Sequence, residues 1–579
     1  MADGAGTKFV SDGGTVVAVD ASIYNRAALL RILDLQEPGP DDRGLLAAAY
    51  EKWGVRMFDW IEGDYAFALW DPRRQALLCG RDPFGVRQLV YRVAEHRFAV
   101  ATEIGALLEI AGGSRRLNEQ RVADYLLLEL DDFAATLYEG VKRLPPAHYA
   151  FVTANQLTVE RYWSPKEVAR EGFVDPEEGI VEYRKRFVNS VSRRIPGAGQ
   201  AATLLSGGLD SSSISCVAAE VLQRRGAGRL LTLSGRYPGK TCDEGDYIDA
   251  VAERWGTDSR SVKPDRVGAL DEIAEDIAPG EPLWTPQISL LRSLYAHAAQ
   301  LGVRVLLDGF GGDFVVSHGP AHLTDLVRRG RLLAAYREGR GLRENFGYSR
   351  SVVLRQWVVA PLVPRAARQM WRAMEHRNEP WWANGMPFDD SFSRRVGVAE
   401  RSVELKRDRV RRPRSALEWH LRQLDMGWVP LALDVADRAA ARAGLEPRYP
   451  FFDRQLVELC VRLPPSLKVQ QGLTRIVVRR AMDGYLPPAV QWRRGKADLT
   501  PGFNASLLPI VQTEAYERVL GAGSPLRGIL RLERLRSMRD AYIATGNTGV
   551  GSVVWRAFVV ARWMDRALAA GVAMPPSLA

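Results

Sequence analysis

Hydrophobic and polar positions divide this chain into two stretches of different rhythm. Over roughly the first 165 residues short alternating runs prevail. Val16-Val17-Ala18-Val19 predicts a strand, Asn25 to Leu33 and Gly44 to Trp53 carry a helical repeat, and Asp64 to Asp71 (DYAFALWD) alternates as a sheet strand does. Ala76 to Cys79 reads as another strand and continues into Arg81 to Tyr91. Arg97 to Glu103 then leads into a helix at Ile104 to Ile110. From about residue 175 the pattern changes to short, wholly apolar runs that end in glycine turns and open helices. Ala201 to Leu205 is followed by Gly207-Gly208 and a helical period from Ser212 to Leu222. Leu230 to Ser234 is a second buried strand, with an amphipathic helix at Asp246 to Trp255, and Gly302 to Asp308 is a third. Buried strands alternating with helices predict an α/β fold. A long helical region from about Ala321 to Ala436 carries Trp357, Trp371, Trp381, Trp382, Trp419 and Trp428.

A length of 579 residues allows two or more domains, and 26% charged with 46% hydrophobic residues suits a soluble globular protein. No apolar run approaches the roughly 18 residues of a membrane span, and the first residues lack a basic and an apolar signal region. No membrane association and a cytoplasmic location are therefore expected. Cys79, Cys216, Cys242 and Cys460 are scattered with no CxxC pair, which argues against disulfides and zinc. The formal charge of +10 permits nucleic-acid binding, yet it suits ATP, pyrophosphate or an acidic peptide equally well, so charge selects nothing.

The chemistry concentrates in Leu204-Leu205-Ser206-Gly207-Gly208-Leu209-Asp210-Ser211-Ser212-Ser213. A strand, a glycine turn and a helix start together make an anion cradle, because the glycines admit a ligand close to the backbone and unpaired N–H groups face it. Ser206, Ser211 and Ser212 are expected to add hydroxyls. Asp210 is the odd member: a carboxylate among phosphate donors is explained if a divalent cation bridges it to the phosphates. No Gly-Lys-Ser/Thr follows, so this is not a P-loop. A second glycine-rich loop, Asp308-Gly309-Phe310-Gly311-Gly312-Asp313-Phe314, closes the third strand. Parallel sheets gather ligands at the carboxyl ends of their strands, so the two loops should be neighbours.

SGGLDSS resembles the pyrophosphate loop of the ATP-pyrophosphatase superfamily, whose members split ATP into AMP and pyrophosphate to adenylate a carboxylate or carbonyl oxygen. EGDYAFALWD, RDPFGVRQLVY, FAVATEIGALL and ERYW resemble the class II glutamine amidotransferase domain of asparagine synthetase. That likeness implies an Ntn-type αββα sandwich over residues 1–165. An asparagine synthetase-like α/β domain would follow over 175–570, with a helical insertion at about 321–436. The family nucleophile is a cysteine directly after the initiator methionine; here the second residue is Ala2, and Cys79 lies within a strand. Glutaminase activity is therefore expected to be absent.

The same resemblance implies roles for further residues. Asp313 and Asp210 would hold magnesium against the pyrophosphate, the strand end at Leu233 would meet adenine, and Asp308 and Gly309 would border the nucleotide. Lys496, in WRRGKADLTP, would reach the α-phosphate and pyrophosphate and stabilise charge that develops there. In LEPRYPFFD, Glu446 either holds the substrate amine or organises Arg448, with a structural ion pair as an equal alternative. Phe310 stands where family members carry glutamate, tyrosine or histidine, and Phe314 where glutamate is usual; neither phenylalanine can move a proton. Phe310, His318 and Arg475 are the substrate-side candidates.

Read whole, the chain is most similar to the lasso-peptide macrolactam synthetase (cyclase) branch. WRRGKADLTP, YPFFD, DGFGGDFVVSHGP, the missing nucleophilic cysteine and the long helical region carry that likeness. It implies that ATP and magnesium serve to adenylate an Asp or Glu side chain of a precursor peptide, whose own N-terminal amine then closes the ring. A leader-recognition protein and a leader peptidase would be partners, with no nucleic acid. A β-lactam-synthetase-like or other small-molecule amide ligase would use the same ATP residues and is the alternative.

Overall fold

The structure is a computed structural model that describes residues 8–10, 14–94, 97–113, 115–197, 200–263, 282, 288–359, 363, 385–405, 413–495 and 500–574. Lys496, Ala2, Trp371, Trp381 and Trp382 lie outside the described residues, as does part of the expected helical insertion.

The alternating N-terminal runs form two antiparallel sheets. β1 (Lys8–Val10), β2 (Val16–Ile23), β3 (Gly63–Asp71), β4 (Ala76–Arg81), β8 (His148–Val152) and β9 (Leu157–Arg161) form one sheet in that order. β6 (Arg97–Ala101), β5 (Val90–Ala94) and β7 (Val141–Arg143) form the other. Period-2 alternation gives each sheet two faces, and three cores fill the resulting layers. The helices Arg26–Leu33 and Asp42–Trp53 pack on the larger sheet through Leu29, Leu46, Tyr65 and Phe67. Cys79, Leu89, Tyr91 and Ala150 join the two sheets, and Val90 and Val141 meet the helices Ile104–Ile110 and Glu119–Leu127. The order is helix, sheet, sheet, helix, the sandwich that the resemblance implies.

The second half is built on a wholly parallel five-stranded sheet. β10 (Ala201–Leu204), β11 (Leu231–Gly235), β12 (Asp258–Val262), β13 (Val305–Leu307) and β14 (Glu446–Arg448) lie in the order β12-β11-β10-β13-β14. The chain winds outward in one direction from β10 and then in the other, so a crevice opens at the carboxyl ends of β10 and β13. β13 begins at Val305, because Gly302 (φ 76°) still belongs to the turn leading into it. The last long helix, Thr548–Ala569, returns to the N-terminal half, where Trp563 meets Tyr138 edge-on at 5.6 Å. Among the described residues no helix is long and apolar enough to cross a membrane.

Candidate active site at the strand ends

β10 ends at Leu204, and the chain turns through Gly207 (φ 78°) and Gly208 into the helix Leu209–Arg224. The helix begins three residues earlier than its apolar period indicates. Asp210 therefore lies in its first turn, where the helix dipole favours a negative charge. A side chain on Gly207 would press on the Glu244 carbonyl and Tyr247 at about 3.0 Å, so the turn needs glycine for space as well as for its left-handed backbone. Ser206 and Ser211 clasp the loop from inside: Ser206 N–H donates to Ser211 Oγ at 3.1 Å, and the two hydroxyls lie 2.9 Å apart. Ser212 departs from expectation. One position further on, the helix rotates it by about 100° into the interior, where it is fully buried, so two of the three expected hydroxyls face the loop.

The loop after β13 lies against the first one, as the strand-end argument requires. A Cβ on Gly309 would stand 3.0 Å from Ser211 N, and one on Gly312 would overlap the Asp210 carboxylate. Asp308 closes its own turn by accepting Phe310 N–H at 2.9 Å, and burial pushes its carboxyl up to about 6. Asp313 opens the short helix Gly312–Val315, and its carboxylate meets His318 Nε2 at 3.2 Å.

One guanidinium joins the two loops. Arg475 Nη1 lies 2.5 Å from Asp210 Oδ2 and 2.9 Å from Asp313 Oδ1. Arg475 sits in the left-handed region (φ 55°, ψ 45°) between β16 (Leu473–Thr474) and the helix Ile476–Ala481. The helix therefore begins only after Arg475. A single nitrogen within reach of both carboxylates shows that they span one cation. Two carboxylates from separate loops, beside a phosphate cradle, fit magnesium completed by phosphate oxygens and water. Among the described residues no group of three or more His, Cys, Asp or Glu is placed to hold a metal ion.

Phe310 and Phe314 do not line a polar pocket. Phe310 stacks edge-on against Phe314 (5.6 Å), Trp428 (6.0 Å) and Tyr449 (6.2 Å), and it lies tilted 5.9 Å from Phe452. These rings form an apolar wall beside the second loop. Trp428 comes from the helical region, and Tyr449 and Phe452 from the YPFFD run. Trp357 and Trp419 instead pair edge-on at 5.1 Å.

Leu205 and Leu233 are bound to each other: Leu205 N–H donates to the Leu233 carbonyl at 2.9 Å, which commits that carbonyl to the sheet. Of the two roles open to Glu446 and Arg448, the structure takes the ion pair. Arg448 Nε lies 3.0 Å from Glu446 Oε1, and the same oxygen accepts Ser22 Oγ at 2.6 Å and Arg87 Nη2 at 3.1 Å. Residues i and i+2 of a strand share a face, and this face looks into the N-terminal sandwich rather than toward the loops. Their arginines hold the Glu446 carboxyl below its ordinary value against the opposing effect of burial. Sequence reasoning missed two residues packed behind the site, His420 and Lys468, because neither belongs to a motif.

The Asparagine synthase family model matches residues 182–565, and the Glutamine amidotransferase domain model matches 3–163. Glutamine-hydrolyzing asparagine synthetase 3 of Bacillus subtilis is 24% identical over 494 residues, covering 83% of this chain and 74% of that protein. A putative glutamine-hydrolyzing asparagine synthetase of Mycobacterium tuberculosis is 27% identical over 512 residues, with the same coverage of 83% and 74%. Amidase chyE of Penicillium rubens is 30% identical over 305 residues, covering 48% of this chain and 43% of that protein.

Proposed function

Because the chain belongs to the asparagine synthase family, whose members are ATP-dependent amide ligases, we propose that it is a lasso-type macrolactam synthetase. It activates an Asp or Glu side chain of a precursor peptide as an acyl-adenylate and joins it to that peptide's N-terminal amine. The observation that carries this reading is the aromatic wall. Phe310 and Trp428, half-buried and backed by the buried rings of Phe314, Tyr449 and Phe452, offer apolar contact where a free amino acid, charged at both ends, would need ionic partners. Aromatic faces of this kind suit the side chains of a folded peptide.

A carboxylate oxygen attacks the α-phosphorus of ATP, the bond from that phosphorus to its bridging oxygen breaks, and pyrophosphate leaves. The peptide amine then attacks the acyl carbon, the bond to AMP breaks, and the amine proton passes to phosphate or water. N–H groups at the start of the Leu209–Arg224 helix and the hydroxyls of Ser206 and Ser211 hold the phosphates. Asp210 and Asp313 would hold magnesium, which neutralises the departing pyrophosphate. Lys496 is proposed to meet the same charge. Position 310 provides no base, and an amine on the same molecule makes one less necessary, since effective molarities reach on the order of 10⁵ M. All four cysteines are buried, with the Cys79 thiol pushed up to about 12, which supports an amine taken from the substrate rather than from glutamine. The partners of this reading are the precursor peptide, a leader-recognition protein and a leader peptidase.

The test incubates the full chain with ATP and magnesium in three arms: peptides with an internal Asp or Glu, aspartate with ammonium, and small amino-acid-like acids. Pyrophosphate release together with loss of one water from a peptide is the expected result. Release only with aspartate or only with small acids would overturn the peptide reading, and release with none would overturn ligation altogether.

A further inference from the structure

We infer that Lys468 and His420 are positioning residues that fix Asp313 and Arg475 relative to one another, and so set the bite of the carboxylate pair. The inference rests on the reading of Asp210 and Asp313 as the carboxylates that meet the magnesium of ATP.

Both residues are buried, His420 at 0% and Lys468 at 1% exposure. His420 comes from the helix Ala416–Leu424, and Lys468 ends the short helix Pro465–Lys468 just before β15 (Val469–Gln470). His420 Nε2 lies 2.8 Å from the Val315 carbonyl, an acceptor, so the ring proton resides on Nε2 and leaves Nδ1 as an acceptor. Lys468 Nζ fills that place at 2.8 Å. Val315 is the last residue of the short helix that Asp313 opens. On the other side, the Lys468 carbonyl accepts Arg475 N–H at 2.5 Å.

A ring of contacts is thereby closed. It runs from Asp313 through its helix to the Val315 carbonyl, across His420 to Lys468, along the backbone to Arg475, and through the guanidinium back to Asp313. A second tie lies beside it, where Ser317 Oγ donates to Gln423 Oε1 at 2.8 Å, so the Ala416–Leu424 helix grips the acid-bearing loop at two points. Gly319 lets this loop lie against Lys468, whose Cβ would be only 2.7 Å from an added methyl. Buried hydrogen-bonded groups in such a ring define one geometry, because any displacement leaves a buried donor or acceptor unpaired. A lysine can serve here as a neutral donor, which an arginine cannot; burial lowers its amine to about 7. His420, held neutral chiefly by burial, has no competing charge.

The test measures ATP affinity of the full chain by calorimetry, once with magnesium and once with EDTA, alongside the thermal midpoint. Lys468→Met, which keeps the volume and removes the amine, should weaken the magnesium-dependent gain about tenfold or more, the usual cost of losing a residue behind a metal ligand. Binding in EDTA should stay unchanged. Weakening of both affinities in parallel would show a merely structural role and overturn the inference, as would an unchanged gain. Should Lys468→Met not fold, His420→Gln and His420→Leu decide: glutamine can donate to Val315 and accept from Lys468, so it should keep the gain that leucine loses, and equal behaviour of the two would overturn the inference. A wild type that gains nothing from magnesium would instead overturn the reading of Asp210 and Asp313 itself.

Discussion

At the scale of single residues, the arginine between the two acids has measurable consequences. Arg475 bridges Asp210 and Asp313 and offsets one of their two negative charges, and without it two carboxylates converge on one point. Arg475→Gln should destabilise the protein by about 3–5 kcal/mol, the cost of removing one partner from a buried ionic cluster. Magnesium alone should restore much of that loss and should stabilise the wild type far less, because the guanidinium competes for the same place; thermal midpoints with and without magnesium check this. Lys468 makes a pH prediction. Its folded value of about 7 lies below the ordinary lysine value, so between about pH 7 and 10 the unfolded chain binds more protons than the folded one. Stability should therefore rise with pH across that window and be lost as pH falls through 7, and Lys468→Met should flatten the slope seen in urea midpoints. SGGLDSS and DGFGGD are contiguous in sequence and were legible there. Arg475 was no more than a candidate and Lys468 was invisible, because their partners lie far away along the chain.

At the scale of elements, two loops bring their acids together only because small residues let them touch. Gly312 has an ordinary helical backbone, so its glycine is required by space, not by conformation: a methyl there would overlap the Asp210 carboxylate. Gly312→Ala should leave the thermal midpoint close to that of the wild type and weaken ATP binding in magnesium about tenfold or more, a shift that calorimetry reads directly. Hydrophobic periodicity located the elements well. The helix Ile104–Ile110 has the expected bounds, and Val16–Ile23, Gly63–Asp71 and Ala201–Leu204 lie where alternation or apolar runs indicated. Boundaries set by glycine or by special backbone moved instead. Leu209, not Ser212, begins the helix after the Gly207-Gly208 turn.

At the scale of the whole molecule, the two halves share an apolar core, which includes Leu107, Tyr125 and Tyr138 of one and Val560 and Trp563 of the other, and ion pairs add to it. Arg87, from the N-terminal half, lies 2.8 Å from Asp437, 3.1 Å from Glu446 and 3.6 Å from Asp20. Arg193 bridges Glu62 and Asp453 at 2.6 Å each, and Trp163 Nε1 donates to Glu458 at 2.9 Å. Arg87→Met would leave three partly exposed acids without their shared guanidinium and should cost about 1–3 kcal/mol, the cost of unpairing hydrogen-bonded charges. Scanning calorimetry should show this as a lower midpoint than that of the wild type. This junction also accounts for Glu446 and Arg448. Their motif looked like site chemistry, while their strand face points them at the sandwich.

The order of amino acids by itself determined what short-range physics determines: the change of period near residue 175, the two glycine loops at strand ends, and the strand, turn and helix start around SGGLDSS. Each depends on neighbours within about ten residues, where side-chain period and backbone freedom act. Only the folded chain decided which acids share a cation, that Ser212 turns inward, that Glu446 and Arg448 fasten the halves together, and that a lysine and a histidine 48 positions apart brace the loop behind the acids. Those outcomes arise from contacts between segments remote in sequence, and burial gives them their strength by removing the water that would otherwise screen them.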